Sequence, residues 1–98
     1  MATLHIEHAI SDLPTWLNAF NRFAEARTKA GVIAERVHQP VDDDRYIYVQ
    51  LDFANTGDAE EFLGFLRSVV WASPEASPAL VGTATGRVLT AVTTEQGG

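Results

Sequence analysis

Apolar and polar residues alternate along two segments of the chain, "TLHIEHAI" (residues 3–10) and "RYIYVQLDF" (residues 45–53). Successive side chains of a β-strand point to opposite faces of the sheet, so this period of two predicts a half-buried strand in each segment. "VIAERVHQP" (residues 32–40) and "GRVLTAVTT" (residues 86–94) are predicted as two further strands. Before the last of them, "SPEASPALVG" (residues 73–82) contains two prolines and predicts a loop.

Two longer segments space their apolar residues as an amphipathic helix does. The first, "SDLPTWLNAFNRFAEARTKAG" (residues 11–31), carries an acid and a proline at its start and Gly31 as a stop signal. The second, "NTGDAEEFLGFLRSVVWA" (residues 55–72), opens with Asn55 or Thr56 as a cap and has acids in its first turn. The sequence therefore predicts one helix in each segment.

The order of these elements is strand, helix, strand, strand, helix, strand. Two right-handed crossovers in one small domain predict an α+β, ferredoxin-like split βαβ fold (β-α-β-β-α-β), a four-stranded antiparallel sheet with both helices on one face. A length of 98 residues fits a single domain over residues 1–98. We expect residues 94–98 to form a frayed tail.

The connection "VDDD" between the two middle strands decides which residues share a face of the sheet. If residues 42–44 form the loop, Val37 lies opposite Val49 and Ile33 lies opposite Phe53, so that apolar residues meet under the helices. A loop of two residues would break this match. The three-residue loop is therefore the prediction.

Under that register, the sheet face away from the helices, here called the open face, carries His5, Glu7, Arg36, His38, Tyr48 and Gln50. The same register puts one charged residue, Glu35, on the helix side, where it can reach water because its strand is an edge strand. Aromatic residues with few lysines favour a covered surface, so two open faces are expected to pack in a homodimer, with Glu7 paired to Arg36. A second interpretation is a metal site with three ligands, His5, Glu7 and His38. This spacing is common in strands, so no metal site is assigned.

Composition narrows the classes of partner. The net charge of −6 and the absence of a basic cluster argue against nucleic acid and against anionic membrane surfaces. The chain has no cysteine, which excludes disulfides, thiolate zinc sites and cysteine nucleophiles. Its longest apolar patches, "FLGFL" and "VVWA", are far shorter than the ~20 residues of a membrane span, and no secretory signal is visible. A cytoplasmic protein is expected.

The order of elements, with "IEHAISDLPTWLNAFNRFAEARTKAGV", "RVHQPVDDDRYIYVQLDFANTGDAEEFL" and "SPEASPALVG", resembles the dimeric α/β-barrel superfamily. It is most similar to the small members that are like antibiotic-biosynthesis monooxygenases or cyclases. The similarity spans roughly residues 4–93, the scale of a whole small domain. It implies a homodimer whose two sheets close a barrel, with a ligand between the helices and the sheet. No histidine follows the second helix to ligate iron, so haem is not expected, and we expect no other cofactor.

The resemblance also implies candidate site residues. A polar residue near the end of the first strand reaches the ligand in several members, and His8 occupies that place here. Its pKa of about 6.5 in free solution suits a general base. We expect Trp16 and Phe20 to line a binding cleft for an aromatic or polyketide-like molecule, with Trp71 beside them and the two tryptophans at its mouth. Alternatively, His8 is a core histidine bonded to a carbonyl or to Asp12, and the protein is a non-catalytic homodimeric module that binds a metabolite or a protein.

Overall fold

Four strands and three α-helices make up the part of the chain that the computed structural model describes, residues 1–93. The predicted frayed tail at residues 94–98 lies outside it. The elements, in chain order, are β1 (Ala2–Ile10), α1 (Leu13–Arg22), α2 (Ala24–Ala30), β2 (Val32–His38), β3 (Tyr46–Phe53), α3 (Thr56–Phe65), a π-helical turn (Leu66–Val70) and β4 (Leu80–Thr90).

The sheet has the strand order β2-β3-β1-β4, and each pair of neighbours is antiparallel. This is the predicted ferredoxin-like arrangement, in which β1 and β3 lie at the centre and each crossover returns to an edge. Alternate residues of β1 and β3 are buried under the helices, as the period of two predicts. The largest fully buried side chains are Phe53, Leu4, Ile10, Ile47 and Leu51. Burial of each stabilises the fold by about 1.5–3 kcal/mol.

The predicted register between β2 and β3 holds only in part. Val37 lies opposite Val49 as expected, but pairing stops at His38, so the connection spans residues 39–45 rather than three residues. The expected pairing of Ile33 with Phe53 is wrong, because a bulge places Val32 opposite Phe53 instead. Ile33 is 58% exposed as a result. A bulge on an edge strand adds one residue that the partner strand cannot match.

The predicted single helix over residues 11–31 is divided at Phe23 into α1 and α2. The Asp12 carboxylate caps α1 by accepting from the backbone N–H of Thr15 at 2.8 Å. At the break, the carbonyl of Phe20 accepts hydrogen bonds from the backbone N–H of Phe23 at 3.2 Å and from Nη1 of Arg27 at 2.6 Å. A helix interrupted in this way needs such a partner for its terminal carbonyls, and the interior of the fold supplies it.

Two features of the second half differ from the prediction. The helix capped by Asn55, as expected, changes to a π-helical turn at Leu66. β4 begins at Leu80, six residues before the predicted start, although Leu80 was expected to lie in a loop. Residues 82–84 lie opposite the single residue His8, since Glu7 pairs with Thr85 and Ala9 with Val81. This bulge, which includes the left-handed Gly82, hides the strand pattern in the sequence.

Candidate active site

A cavity of about 80 Å³ lies between the sheet and the helices. Its lining comes from β1, β3, the helices, the π-helical turn and the loop that precedes β4. Most lining side chains are aliphatic or aromatic, and the polar ones are His8, Arg27 and Ser77. The cavity is partly open to the surface. It brings together the residues predicted for the site, since Trp16, Phe20 and Trp71 all line it with His8.

His8 is held in one orientation by its neighbour in the chain. Its Nδ1 atom lies 2.9 Å from the carbonyl oxygen of Ala9. A carbonyl can only accept a hydrogen bond, so Nδ1 carries the proton in the neutral ring and Nε2 keeps a free lone pair. Burial lowers the pKa of His8 by penalising the imidazolium, and the bond to Ala9 opposes this shift less strongly. The neutral ring is therefore the form expected at neutral pH.

His8 is a wall residue of the cavity. The side chain is only 6% exposed, and no hydrogen bond to Nε2 is found within residues 1–93. Yet no side-chain nitrogen or oxygen of this part of the chain is both fully buried and without a partner. Nε2 therefore retains contact with accessible space, and His8 lines the cavity. The expected alternative partner Asp12 caps α1 and does not bond His8.

The predicted aromatic residues form the cavity walls. Trp16 and Phe20 stack with ring centroids 4.7 Å apart and planes inclined by 19°. Trp71 follows the π-helical turn, which is closed by a hydrogen bond from its N–H to the carbonyl of Leu66 at 2.7 Å. Trp71 is half-buried, as suits a residue near the opening. Trp16 is buried, so it is part of the wall and not of the mouth.

Arg27 is a cavity residue that was missing from the predicted site. It is 5% exposed, and its guanidinium lies 3.6 Å from the centroid of the Phe20 ring. Its Nε donates to a carboxylate oxygen of Glu35 at 2.9 Å, which explains the acid on the helix side of β2. A signal was present in the sequence, because Arg27 continues the helical spacing of the apolar residues Phe20 and Phe23. A charged residue on an apolar helix face marks a buried contact or a site.

The open face carries a continuous hydrogen-bonded network. His5 Nε2 donates to Glu7 at 2.8 Å, and the Tyr46 hydroxyl donates to the other oxygen of Glu7 at 2.9 Å. These two bonds hold the pKa of Glu7 below its usual value, the His5 bond having the larger effect. Gln50 lies 3.2 Å from Nδ1 of His5 and 3.2 Å from Nε of Arg36, from which it accepts. The network thus joins β1, β3 and β2.

The expected pairing of Glu7 with Arg36 does not occur within the chain. Arg36 instead makes two parallel hydrogen bonds to Asp52, both of 2.9 Å, since Asp52 is nearer on the adjacent strand. The guanidinium, followed by the hydroxyl of Thr3, lowers the pKa of Asp52 to about 2. Bidentate pairing of this kind fixes the geometry of both side chains.

The remaining open-face residues predicted for the cluster lie apart from this pairing. The Tyr48 ring lies 6.1 Å from that of His5 and 5.3 Å from that of Tyr46. His38 is exposed on the edge strand opposite Tyr48. Among residues 1–93, no group of three His, Cys, Asp or Glu side chains is placed to hold a metal ion. No helix in that range is long and apolar enough to cross a membrane.

The fold is shared with proteins of solved structure. No protein-family model matches the sequence, and neither does any curated protein. A crystal structure of SnoaB, a cofactor-independent oxygenase from Streptomyces nogalater, matches with a TM-score of 0.69 at 19% identity, over 97% of this chain and 96% of SnoaB. An antibiotic biosynthesis monooxygenase matches with a TM-score of 0.68 at 11% identity, over 95% and 100% of the two chains.

A dimeric ferredoxin-like protein from an uncultured marine organism is also similar, with a TM-score of 0.60 at 8% identity over 94% of this chain and 97% of the other. These similarities confirm the predicted resemblance at the level of the fold, which is that of ferredoxin-like proteins resembling antibiotic-biosynthesis monooxygenases. Identities this low leave the substrate, the chemistry and the assembly to be argued from the chain's own residues.

Proposed function

We propose that this chain binds an aromatic or polyketide-like molecule in the cavity and acts on it as a cofactor-independent monooxygenase- or cyclase-like enzyme. The observation that carries the proposal is a neutral imidazole in the wall of an apolar cavity, with Nδ1 bonded to Ala9 and Nε2 without a partner among residues 1–93. A base of this kind takes a proton near neutral pH without first having to lose one. His8 is the catalytic residue in this proposal.

The proposed first step is the transfer of a proton from an acidic C–H of the substrate to Nε2 of His8, which leaves the electron pair on the substrate as a carbanion. In a monooxygenase, that carbanion reduces dioxygen, and a CH₂ group becomes a carbonyl while the second oxygen atom leaves as water. In a cyclase, the carbanion attacks a carbonyl of the same molecule, with no net oxidation. Both reactions begin with the same base, so the His8 geometry supports either.

The size of the cavity limits how the molecule enters. A volume of about 80 Å³ is well below the roughly 300–1,000 Å³ of typical small-molecule sites. A single ring is therefore the part of the substrate that the proposal places beside Trp16 and Phe20. The rest of a larger molecule extends through the opening near Trp71, or the helices move outward from the sheet to admit it.

We also propose that the chain works as a homodimer formed through its open face. Two tyrosine rings of this face, with His5, Glu7 and Gln50, are half-buried even in one protomer. A bare sheet face of this composition is a surface that a second copy can cover through two-fold packing. A similar solved structure is of a dimeric ferredoxin-like protein, which adds support from the fold.

A second candidate function is a non-catalytic homodimeric module that binds a small metabolite or a protein. The bond from His8 to the Ala9 carbonyl favours it, because a buried histidine satisfied in this way needs no catalytic explanation. The small volume of the cavity favours it too. In this alternative the same walls bind a ligand but no proton moves.

The experiment compares His8→Gln with His38→Gln, in which an exposed histidine of the open face undergoes the same change. The probe is an anthrone, whose central CH₂ is acidic because its carbanion is an aromatic phenolate. Oxygen uptake and quinone absorbance measure oxidation. Loss of a positioned base should lower kcat/KM by about 10²–10⁴-fold in His8→Gln. His38→Gln should keep the activity of the unsubstituted chain.

Two other results would change the conclusion. Full turnover by His8→Gln would remove His8 from the chemistry. Saturable binding of the anthrone without turnover by the unsubstituted chain, measured by calorimetry and by shifts of the indole N–H resonances of Trp16 and Trp71, would favour the binding module.

A further inference from the structure

The cavity carries one permanent charge. Among its lining residues Arg27 is the only side chain that is charged at all ordinary pH values, and no acid faces the cavity. The other polar groups are the His8 imidazole and the hydroxyl of Ser77, which donates to the carbonyl of Ser73 at 2.9 Å. An apolar space with a single cation in its wall is complementary to a molecule with an apolar body and one negative group.

Arg27 has unused donors. A guanidinium has five N–H donors, and two hydrogen bonds are found, from Nε to Glu35 and from Nη1 to the carbonyl of Phe20. No bond from Nη2 occurs within residues 1–93, although no side-chain nitrogen there is fully buried without a partner. By the same reasoning as for His8, Nη2 retains contact with accessible space, and Arg27 lines the cavity.

Arg27 is ion-paired with Glu35, which is not among the residues that line the cavity. Glu35 has a side chain that is 42% exposed, so its carboxylate is solvated at the edge of the sheet. The ring of Phe20 lies 3.6 Å from the guanidinium carbon and fixes the plane of the fork. A planar fork with a fixed orientation binds a carboxylate or a similar oxygen anion with little loss of conformational entropy.

We infer that the cavity's ligand is an organic anion, an aromatic molecule bearing a carboxylate or an ionised enol or phenol, whose negative oxygen is bound by Arg27. This inference rests on the proposed binding of an aromatic molecule in the cavity and specifies its chemical class. Arg27 is then a substrate-binding residue that orients the ring between Trp16 and Phe20 and the imidazole of His8. In the enzyme proposal, the same cation stabilises the carbanion as its charge spreads onto an oxygen.

The test compares benzoate with benzamide, which have nearly the same size and shape but differ in charge. Calorimetry at about pH 8, where a carboxyl group is ionised, gives both dissociation constants. Shifts of the Trp16 and Trp71 indole N–H resonances locate each probe in the cavity. A charge-assisted hydrogen bond in a desolvated site should make benzoate bind about tenfold tighter or more.

Two variants separate recognition from folding. Arg27→Met removes the charge and should abolish the preference for benzoate while it retains benzamide. Glu35→Gln keeps Arg27 and removes its acidic partner, so benzoate should bind as tightly as before or more tightly. If Arg27→Met fails to fold, the preference of the unsubstituted chain and its response to Glu35→Gln still decide the question.

The outcomes distinguish this inference from the proposed function. Equal binding of benzoate and benzamide in the cavity would overturn the role of Arg27 and leave the proposed cavity intact. A preference for benzoate that persists in Arg27→Met would likewise overturn that role, because another group would then bind the anion. Binding of neither probe would overturn the inference, whereas turnover of the anthrone by the unsubstituted chain decides the proposed function separately.

Discussion

Gly86 of β4 lies directly against the indole ring of Trp71. A Cβ atom at residue 86 would lie 3.2 Å from Cη2 of Trp71 and 2.5 Å from a methyl carbon of Leu63. A glycine at this position, which has no side chain, lets β4 pack closely against Leu63 of α3 and against Trp71. The position of Trp71, and with it one wall of the cavity, depends on this contact.

We therefore expect Gly86→Ala to destabilise the fold and to displace Trp71. Overpacking of a closed contact costs about 1–3 kcal/mol, which urea unfolding measures. The control is Gly64→Ala in α3, where a Cβ meets nothing within 4 Å. That substitution should stabilise the helix by up to about 1 kcal/mol, because glycine is a poor helix former. Equal stability of Gly86→Ala and the unsubstituted chain would mean that Leu63 and Trp71 move aside without cost.

The buried imidazole of His8 predicts a loss of stability in mild acid. Its pKa is lowered in the folded state, so below about pH 6.5 the unfolded chain binds a proton that the folded chain resists. The contribution of the neutral His8 ring to the free energy of unfolding is complete above about pH 6.5. It is lost as the pH falls toward the lower pKa of His8 in the folded state. Thermal unfolding from about pH 8 to pH 5 should show a falling Tm that is less steep in His8→Gln. A parallel decline in both proteins would contradict the burial of a neutral ring.

The pair of Arg36 and Asp52 on the open face predicts a second effect at lower pH. The pKa of Asp52 in the folded state is about 2. The ion pair therefore contributes fully to the free energy of unfolding above about pH 4, and this contribution disappears as the pH falls toward 2. Asp52→Asn should lower the free energy of unfolding by about 1 kcal/mol at neutral pH. The loss is no larger because solvent screens the pair, in which Arg36 is partly exposed. Chemical unfolding at pH values down to about 2 should show the difference vanish. Asp42→Asn, the same change in the exposed loop, should have no such effect at neutral pH.

The open face is expected to form the interface of a homodimer. Light scattering should give twice the chain mass of 10.7 kDa. Glu7→Lys leaves the donors of His5 and Tyr46 without their acceptor and places two new cations in the interface, so it should weaken association by about tenfold or more. The control, Glu60→Lys, makes the same charge change on an exposed position of α3. A mass of one chain for the unsubstituted protein would exclude this assembly.

Much of the fold was predictable because the signals are local. The alternation in β1 and β3 is also the observed burial pattern, and the caps at Asp12 and Asn55 bond as expected of those residue types. The pairing of Val37 with Val49 followed from the requirement that apolar residues of β2 and β3 lie on the same face of the sheet. Where long-range packing overrides local pattern, the prediction was wrong: at the helix break, at both bulges and at the start of β4.

The candidate site shows the same division. The sequence separated His8 from His5 and Glu7, because neighbouring residues of a strand face opposite ways. It did not indicate that Arg27 would join His8 in the cavity, since the two residues belong to elements whose contact depends on how α2 packs on the sheet. Nor did it predict that Arg36 would bond Asp52 rather than Glu7.

The sequence by itself determined which residues are apolar, on which side of β1 and β3 they lie and in what order the elements follow. Those properties depend on chain geometry and residue type within a few positions. Only the tertiary structure decided that His8, whose Nε2 has no partner among the described residues, lines a cavity, that Arg27 of α2 lines the same cavity, and that Gly86 packs against Trp71. These are consequences of close packing between elements distant in sequence, where a shift of one residue in register, or one bulge, changes which atoms meet.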